Sequence, residues 1–238
     1  MTDTPHLNLP LLSPSQAQKH VTVNAGLSRL DGMVQLRLQS VTQNDPPGVA
    51  EDGICYGVPS NGVNAWAGQG GNIAIFVNGG WDFVPPRRGF RAVILDQGVL
   101  AMHDGEDWRA GAVTLTQNGA GMALRSVETD VTITAGASVE TPVIFPERAL
   151  AFGVTGLVTT AIGGATTWRL GVDGDDLRYG SGLGVSLNSW VSGPSTPLVY
   201  WSATPLLISS EGADFTEGVV RIVAHYAMLA LPDTIASA

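Results

Sequence analysis

Ile73-Ala74-Ile75-Phe76-Val77-Asn78-Gly79-Gly80-Trp81 reads as a short apolar strand, an Asn-Gly turn and a tryptophan on the return strand. Asn-Gly suits a tight hairpin because both central residues of such a turn take positive φ. The same order recurs on either side. Upstream, Ile54-Cys55-Tyr56 leads through Asn61-Gly62 to Trp66, and downstream Val99-Leu100-Ala101-Met102 leads through Asp104-Gly105 to Trp108. A lone hairpin is marginally stable, so a large ring at a fixed place in each unit supplies a shared core. Trp66, Trp81 and Trp108 are therefore expected in the core of a hairpin region spanning residues 44–112.

Before this region, residues 1–43 read differently. Ser13-Pro14-Ser15-Gln16 is a helix start: Ser13 caps, Pro14 suits the first helical position, and Gln16 lies where a capping box places it. Val23, Leu27, Leu30 and Val34 then recur at spacings of four, three and four, which is helical periodicity. That stripe fits either packing on the chain's own sheets or a short seam between several copies, because coiled coils use this spacing. Val34, Leu36 and Leu38 alternate with Gln35, Arg37 and Gln39, a strand signal that ends at Asn44-Asp45-Pro46-Pro47-Gly48. Residues 1–43 are close to neutral, so they are the better part for docking onto another protein or copy.

After residue 112 the pattern changes again. Short Val, Ile, Thr and Leu runs broken by Gly and Pro fill residues 113–238, among them Val131-Thr132-Ile133-Thr134, Val143-Ile144-Phe145 and Leu206-Leu207-Ile208. This density predicts an antiparallel β-sandwich or jelly roll. Gly218 to Tyr226 reads as a closing strand lying centrally in one sheet. The expected fold is mainly β: an N-terminal helix, a tryptophan-hairpin region and a C-terminal sandwich.

Composition sets the outer limits. The chain has 238 residues, with 30 glycines and 14 prolines, too many for a helical bundle, and 44% hydrophobic residues, too many for wholesale disorder. Twelve basic residues face twenty-one acidic ones, and only Lys19 is a lysine, so nucleic acid is not an expected partner. No apolar run approaches the length of a spanning helix, so no membrane insertion is expected. Met1 to Pro10 carries no basic and apolar leader pattern, so synthesis in the cytoplasm and release by lysis or within a particle are expected. Cys55, the single cysteine, reads as a small buried hydrophobe.

Catalytic motifs are lacking: there is no Walker loop, no His-Glu-x-x-His and no Gly-x-Ser-x-Gly. His6, His20, His103 and His225 make no pair at metal spacing, and His225, inside an apolar run, reads as a hydrogen-bonded core or interface residue. Asp173-Gly174-Asp175-Asp176 reads as a hairpin turn, with a Ca²⁺ loop as the sharper alternative, since that ion takes carboxylate oxygens. Glu211, Asp214 and Glu217 include a carboxylate pair of the kind glycoside hydrolysis needs, although turn and surface positions explain them as well. No enzyme activity, metal or cofactor is expected. The aromatics are more informative, because flat sugar faces stack on rings while hydroxyls meet polar groups at the rim. Trp190, Tyr200, Trp201 and Tyr179 are the expected ring contacts to a glycan, with Arg178, Asp175 and Asp176 as polar partners. Adjacent Tyr200 and Trp201 point to opposite faces if both lie on a strand, so only one of them can be core.

Leu9-Pro10-Leu11-Leu12-Ser13-Pro14-Ser15-Gln16-Ala17-Gln18-Lys19-His20-Val21-Thr22-Val23-Asn24 resembles the opening of a domain of unknown function in phage-like proteins of alphaproteobacteria. Ser40-Val41-Thr42-Gln43-Asn44-Asp45-Pro46-Pro47 and Ala65-Trp66-Ala67-Gly68-Gln69-Gly70-Gly71-Asn72-Ile73-Ala74 carry the likeness on to about Arg109. The remainder, including Arg178-Tyr179-Gly180-Ser181-Gly182-Leu183-Gly184 and the close from Phe215 to Tyr226, is similar to the C-terminal portion of spike or fibre proteins bearing that domain. The resemblance implies a head spike or tail fibre of a prophage or gene transfer agent, on the surface of a phage-like particle. It also implies attachment to the recipient cell's capsular polysaccharide, and it transfers no binding residue. By analogy with fibres, a homo-oligomer, first a trimer, is expected, in contact with other structural proteins of the particle. A structural adaptor and a capsule-degrading spike are the alternatives.

Overall fold

Asn78 and Gly79 both hold positive φ, 51° and 77°, and close the two-residue turn between β3 (Ile73–Val77) and β4 (Gly80–Val84). This hairpin belongs to the first of two compact units in a computed structural model that describes residues 3–13 and 19–232. The unit runs to Gly121 and contains a helix, α1 (Lys19–Met33), and the strands β1 (Arg37–Leu38), β2 (Cys55–Gly57), β3, β4, β5 (Arg91–Ile94), β6 (Val99–His103), β7 (Trp108–Ala110) and β8 (Ala112–Leu115). Seven strands form one sheet in the order β4-β3-β2-β1-β5-β6-β7.

Two meanders, β2-β3-β4 and β5-β6-β7, flank the two-residue β1, which pairs in parallel with both: Leu38 opposes Cys55 on one side and Ile94 on the other. The composition boundary at residue 43 is therefore not a structural one, since β1 is the middle strand of the sheet. The sequence repeat survives in two of its three members. Trp81 faces Phe76 across β3–β4 and Trp108 faces His103 across β6–β7, each as an edge-on ring pair at 5.0 Å. Both tryptophans are half-buried. The third member departs from expectation. Trp66 is the last residue of a 3-10 turn (Asn64–Trp66) instead of standing on a return strand, and it is completely buried over Tyr56 and Trp81.

Alternation gives this sheet two apolar faces. Leu36, Leu38, Cys55, Ile73 and Ile75 form one cluster; Tyr56, Val58, Trp66 and Ala74 form the other. Cys55 is the buried hydrophobe expected of it, and burial pushes its thiol up to about 12.

The helix docks by an unexpected face. Gly32 lies against Ile75 and Cys55, where a Cβ would come within 2.9 Å of Ile75. Arg29 makes a two-pronged ion pair with Asp82 of β4 at 2.9 and 2.7 Å. Buried Asp31 accepts hydrogen bonds from the Thr4 hydroxyl (2.6 Å) and from the backbone N–H groups of Leu7 (2.7 Å) and His6 (3.1 Å), which ties the N-terminal segment to the helix. Val23, Leu30 and Val34 are left exposed, with Leu27 half-buried. The four-three-four stripe thus does not supply the packing onto the chain's own sheet. Pro14, Ser15 and Gln16 of the expected capping box lie outside the described residues.

In the second unit, Met122–Ala230, β-strands pair in antiparallel fashion. It is built from β9 (Gly121–Gly136), β10 (Ser138–Phe145), β11 (Ala149–Gly163), β12 (Thr167–Val172), β13 (Asp175–Leu183), β14 (Trp190–Tyr200), β15 (Thr204–Glu211) and β16 (Phe215–Ala230). One sheet has the order β10-β15-β12-β13; the other carries β14-β11-β16-β9. As the sequence predicts, β16 is central. Val154, Val158, Trp168, Leu170, Leu206, Ile208, Val220 and Ile222 fill the space between. At one edge β13 and β14 approach so closely that a Cβ on Gly193 would lie 2.1 Å from the Tyr179 carbonyl oxygen. Only glycine fits there.

Candidate functional site

The sequence candidates separate by burial. Tyr179 and Tyr200 are 2% and 8% exposed, and their hydroxyls hydrogen-bond to each other at 2.8 Å inside the core. Phe145 stacks on both rings, at 6.2 and 4.9 Å. Burial and the Tyr200 hydroxyl hold the Tyr179 phenol well above its ordinary range. Neither ring offers a face to a ligand, which corrects their assignment as stacking residues: they stand at inward positions of β13 and β14. Trp190 and Trp201 are 72% and 77% exposed. Tyr200 ends β14 and is buried, while Trp201 lies in the bend beyond the strand and is exposed, so only one of the two is core.

The two exposed tryptophans do not share a site. Trp190 opposes Leu157, and Tyr200, next to Trp201, opposes Ala149. The eight residue steps along β11 from Ala149 to Leu157 amount to roughly 26 Å of strand.

The expected polar partners are engaged elsewhere. Asp173-Gly174 is the turn joining β12 to β13, with Val172 opposite Asp175. Asp175 accepts from Arg178 at 3.1 Å, and Asp176 pairs with Arg169 at 3.0 Å. Arg169 also faces Glu211, whose carboxylate accepts from the Thr167 hydroxyl (2.8 Å) and the Gly182 N–H (2.9 Å). Among the described residues no group of three or more His, Cys, Asp or Glu side chains could hold a metal ion. The Asp173 to Asp176 segment is an ion-paired hairpin.

Around Trp190 the outer face of the second sheet presents a different constellation. Trp190 opposes Leu157 of β11, which opposes Arg221 of β16. Arg221 donates to both Asp130 oxygens at 2.7 and 2.8 Å and lies 3.6 Å from Glu128, all on β9. These hydrogen bonds hold the Asp130 carboxyl below its ordinary value. Two residues along, Thr155 opposes Ser192 on one side and Val223 on the other. His225 bridges this row: Nε2 meets the Thr155 hydroxyl at 2.9 Å and Nδ1 meets the Ser126 hydroxyl at 3.0 Å. It is hydrogen-bonded as the sequence suggests, but half-buried on the outer face and not in the core. The face therefore offers an indole plate and a leucine, a fixed ion pair, and a row of hydroxyls and imidazole. Sequence reading missed Leu157, Thr155, Ser126 and Arg221, although Ser126-x-Glu128-x-Asp130 and Arg221-x-Val223-x-His225 show the alternation that puts each set on one face.

No helix among the described residues is long and apolar enough to cross a membrane. No curated protein matches this chain. Among solved structures, the cyanophage Pam1 capsid asymmetric unit matches at 22% identity and a TM-score of 0.27, covering 46% of this chain and 84% of that one. Residues 23–109, most of the first unit, match a family described as a protein of unknown function, DUF2793.

Proposed function

We propose that this chain is a non-catalytic surface component, a spike or fibre, of a phage-like particle, and that its second unit holds cell-surface polysaccharide. The observation that carries the reading is Trp190: a bulky ring left 72% exposed on an otherwise ordered sheet face, beside Leu157 and flanked by paired charges and hydroxyls. A ring plus a few fixed polar groups is what binding a sugar chain along a surface asks for. Because Asp130–Arg221 and His225 are already hydrogen-bonded, little ordering cost remains at binding. The match of residues 23–109 falls where the resemblance to particle proteins lies, which supports the particle setting. The Glu211 carboxylate, committed to Thr167, Gly182 and Arg169, supports binding over cleavage.

The exposed Val23, Leu30 and Val34 stripe is the joint between copies in this reading, because its spacing is that of a coiled-coil seam. Two heptads are weak alone, but linked copies raise avidity for a repeating glycan by about 10²–10⁴. The test is binding of the purified chain to immobilised capsular polysaccharide, with chain length of the polysaccharide followed in parallel. Trp190→Ala is expected to weaken binding at least about tenfold and the polysaccharide to stay intact. Unchanged binding by Trp190→Ala removes the site; shortened chains establish a capsule-degrading spike instead.

A further inference from the structure

A second concave site lies wholly within the first unit. Its cavity, about 550 Å³, falls in the roughly 300–1,000 Å³ range of small-ligand pockets. One wall is the turn between β6 and β7 with Glu106 and Asp107, continued by Trp108 and Arg109 of β7; the other is Val58-Pro59 with the bare backbone of Gly70 and Gly71.

Both walls are held before any ligand arrives. The Asp104 carboxylate accepts from the N–H groups of Glu106 (2.9 Å) and Asp107 (2.7 Å) and from the Arg109 guanidinium, so the turn bearing the acids is locked. Across the cavity, Val58 accepts from the Gly71 N–H at 2.8 Å and donates to Asn72 at 2.9 Å. The His103 Nδ1 accepts from the Gly105 N–H at 3.2 Å, and burial lowers the proton affinity of the ring. Trp108 meets His103 edge-on, and its indole N–H is buried without an acceptor; a Cβ on Gly57 would stand 3.3 Å from it.

The accessible lining therefore combines the carboxylates of Glu106 and Asp107, the Arg109 guanidinium, and an apolar edge of Pro59 and Trp108. Hydroxyl groups both donate and accept, and match such a mixture. A uronate would meet two carboxylates, and the apolar edge of Pro59 and Trp108 suits the C–H face of a sugar ring. We infer that this pocket binds one neutral pyranose unit, its hydroxyls on Glu106, Asp107 and Arg109 and its C–H surface on the apolar edge. The site is separate from the Trp190 face and differs in selecting a single uncharged sugar.

The experiment is a titration of the isotopically labelled full chain with methyl glucoside, methyl galactoside, glucuronate and methylguanidinium, followed by amide and indole N–H resonances. A neutral glycoside is expected to give saturable shifts at Gly70, Gly71, Glu106, Asp107 and the Trp108 indole. The Glu106→Gln, Asp107→Asn double variant, isosteric and on exposed positions, should weaken binding at least about tenfold with its other resonances unmoved. Glucuronate should bind at least about tenfold less well. No saturable shift with either neutral glycoside overturns the inference. Tighter binding of methylguanidinium overturns it too, assigning the pocket to a basic side chain. Trp190→Ala leaves these shifts in place, so failure here and failure at the sheet face are told apart.

Discussion

The two units solve the same problem with opposite layer orders. In the first, a single sheet is covered on one face by α1 and the residues beside it and on the other by the loop that delivers Trp66, so apolar residues from successive positions are buried. In the second, two sheets share one core between them, and Leu157 and Trp190 stand exposed on the outer side of one of them. Recognition in the first unit is thereby confined to turns and rims, which is where its pocket lies, whereas the second can present a broad sheet face. The number of layers, more than the residue types, decides where a ligand can be met.

The comparison is broken most severely by removing the cover of the first sheet. Trp66→Ala is expected to cost about 3–5 kcal/mol, lowering the melting transition of the first unit while near-ultraviolet signals from the Phe145, Tyr179 and Tyr200 cluster persist. An equal loss of those signals would mean that the second unit depends on the first for its packing. Gly193→Ala attacks the second unit instead, at the close approach to Tyr179, and should cost about 1–3 kcal/mol by urea denaturation. A silent substitution would show that the β13–β14 edge is looser than described.

A finer probe of the same core is the tyrosine pair. Tyr179→Phe leaves the buried Tyr200 hydroxyl unpaired and should cost about 1–3 kcal/mol, whereas Tyr200→Phe leaves Tyr179 its second partner, the Arg178 guanidinium, and should cost less. Additive losses in a double-mutant cycle would contradict a shared hydrogen bond.

Acid sharpens the contrast between the units. Hydrogen bonds from Asp107, Glu106 and Arg109 outweigh burial and hold Asp104 below its ordinary value near 3.8. Its contribution is then fully present above that value and is lost as pH falls through the lower folded one. Thermal melts between pH 6 and pH 3 should therefore destabilise the first unit in wild type more than in Asp104→Asn. The smallest effect on stability is expected from Trp190→Ala, within about 0.5 kcal/mol by denaturation, because the ring is exposed.

Local chemistry made the hairpins legible. Asn78-Gly79 and Asp104-Gly105 specify turns within a few residues of themselves, and Trp81 and Trp108 keep one register because the turns do. The parallel placement of β1 was not legible, since Leu38 finds its partners at Cys55 and Ile94, with no nearby signal to announce either. The same holds for the candidate site. Trp190 and Trp201 on the one hand, Tyr179 and Tyr200 on the other, are alike as ring-bearing residues on strands. Which side of a strand faces the core depends on the partner sheet. The stripe of α1 shows the limit plainly: its periodicity specified a helix, and Gly32, Arg29 and Asp31, off the stripe, set which way it faces.

What the sequence by itself determined is the mainly β class, the turn positions and the helix, because these follow from backbone preferences and side-chain period over short spans. Only the tertiary structure decided which rings are buried, that Arg37–Leu38 stand in the middle of the hairpin sheet, and that Trp190 stands with Leu157, Arg221 and His225. Those outcomes depend on pairings between residues far apart along the chain, where burial is settled by what lies opposite and not by the residue itself.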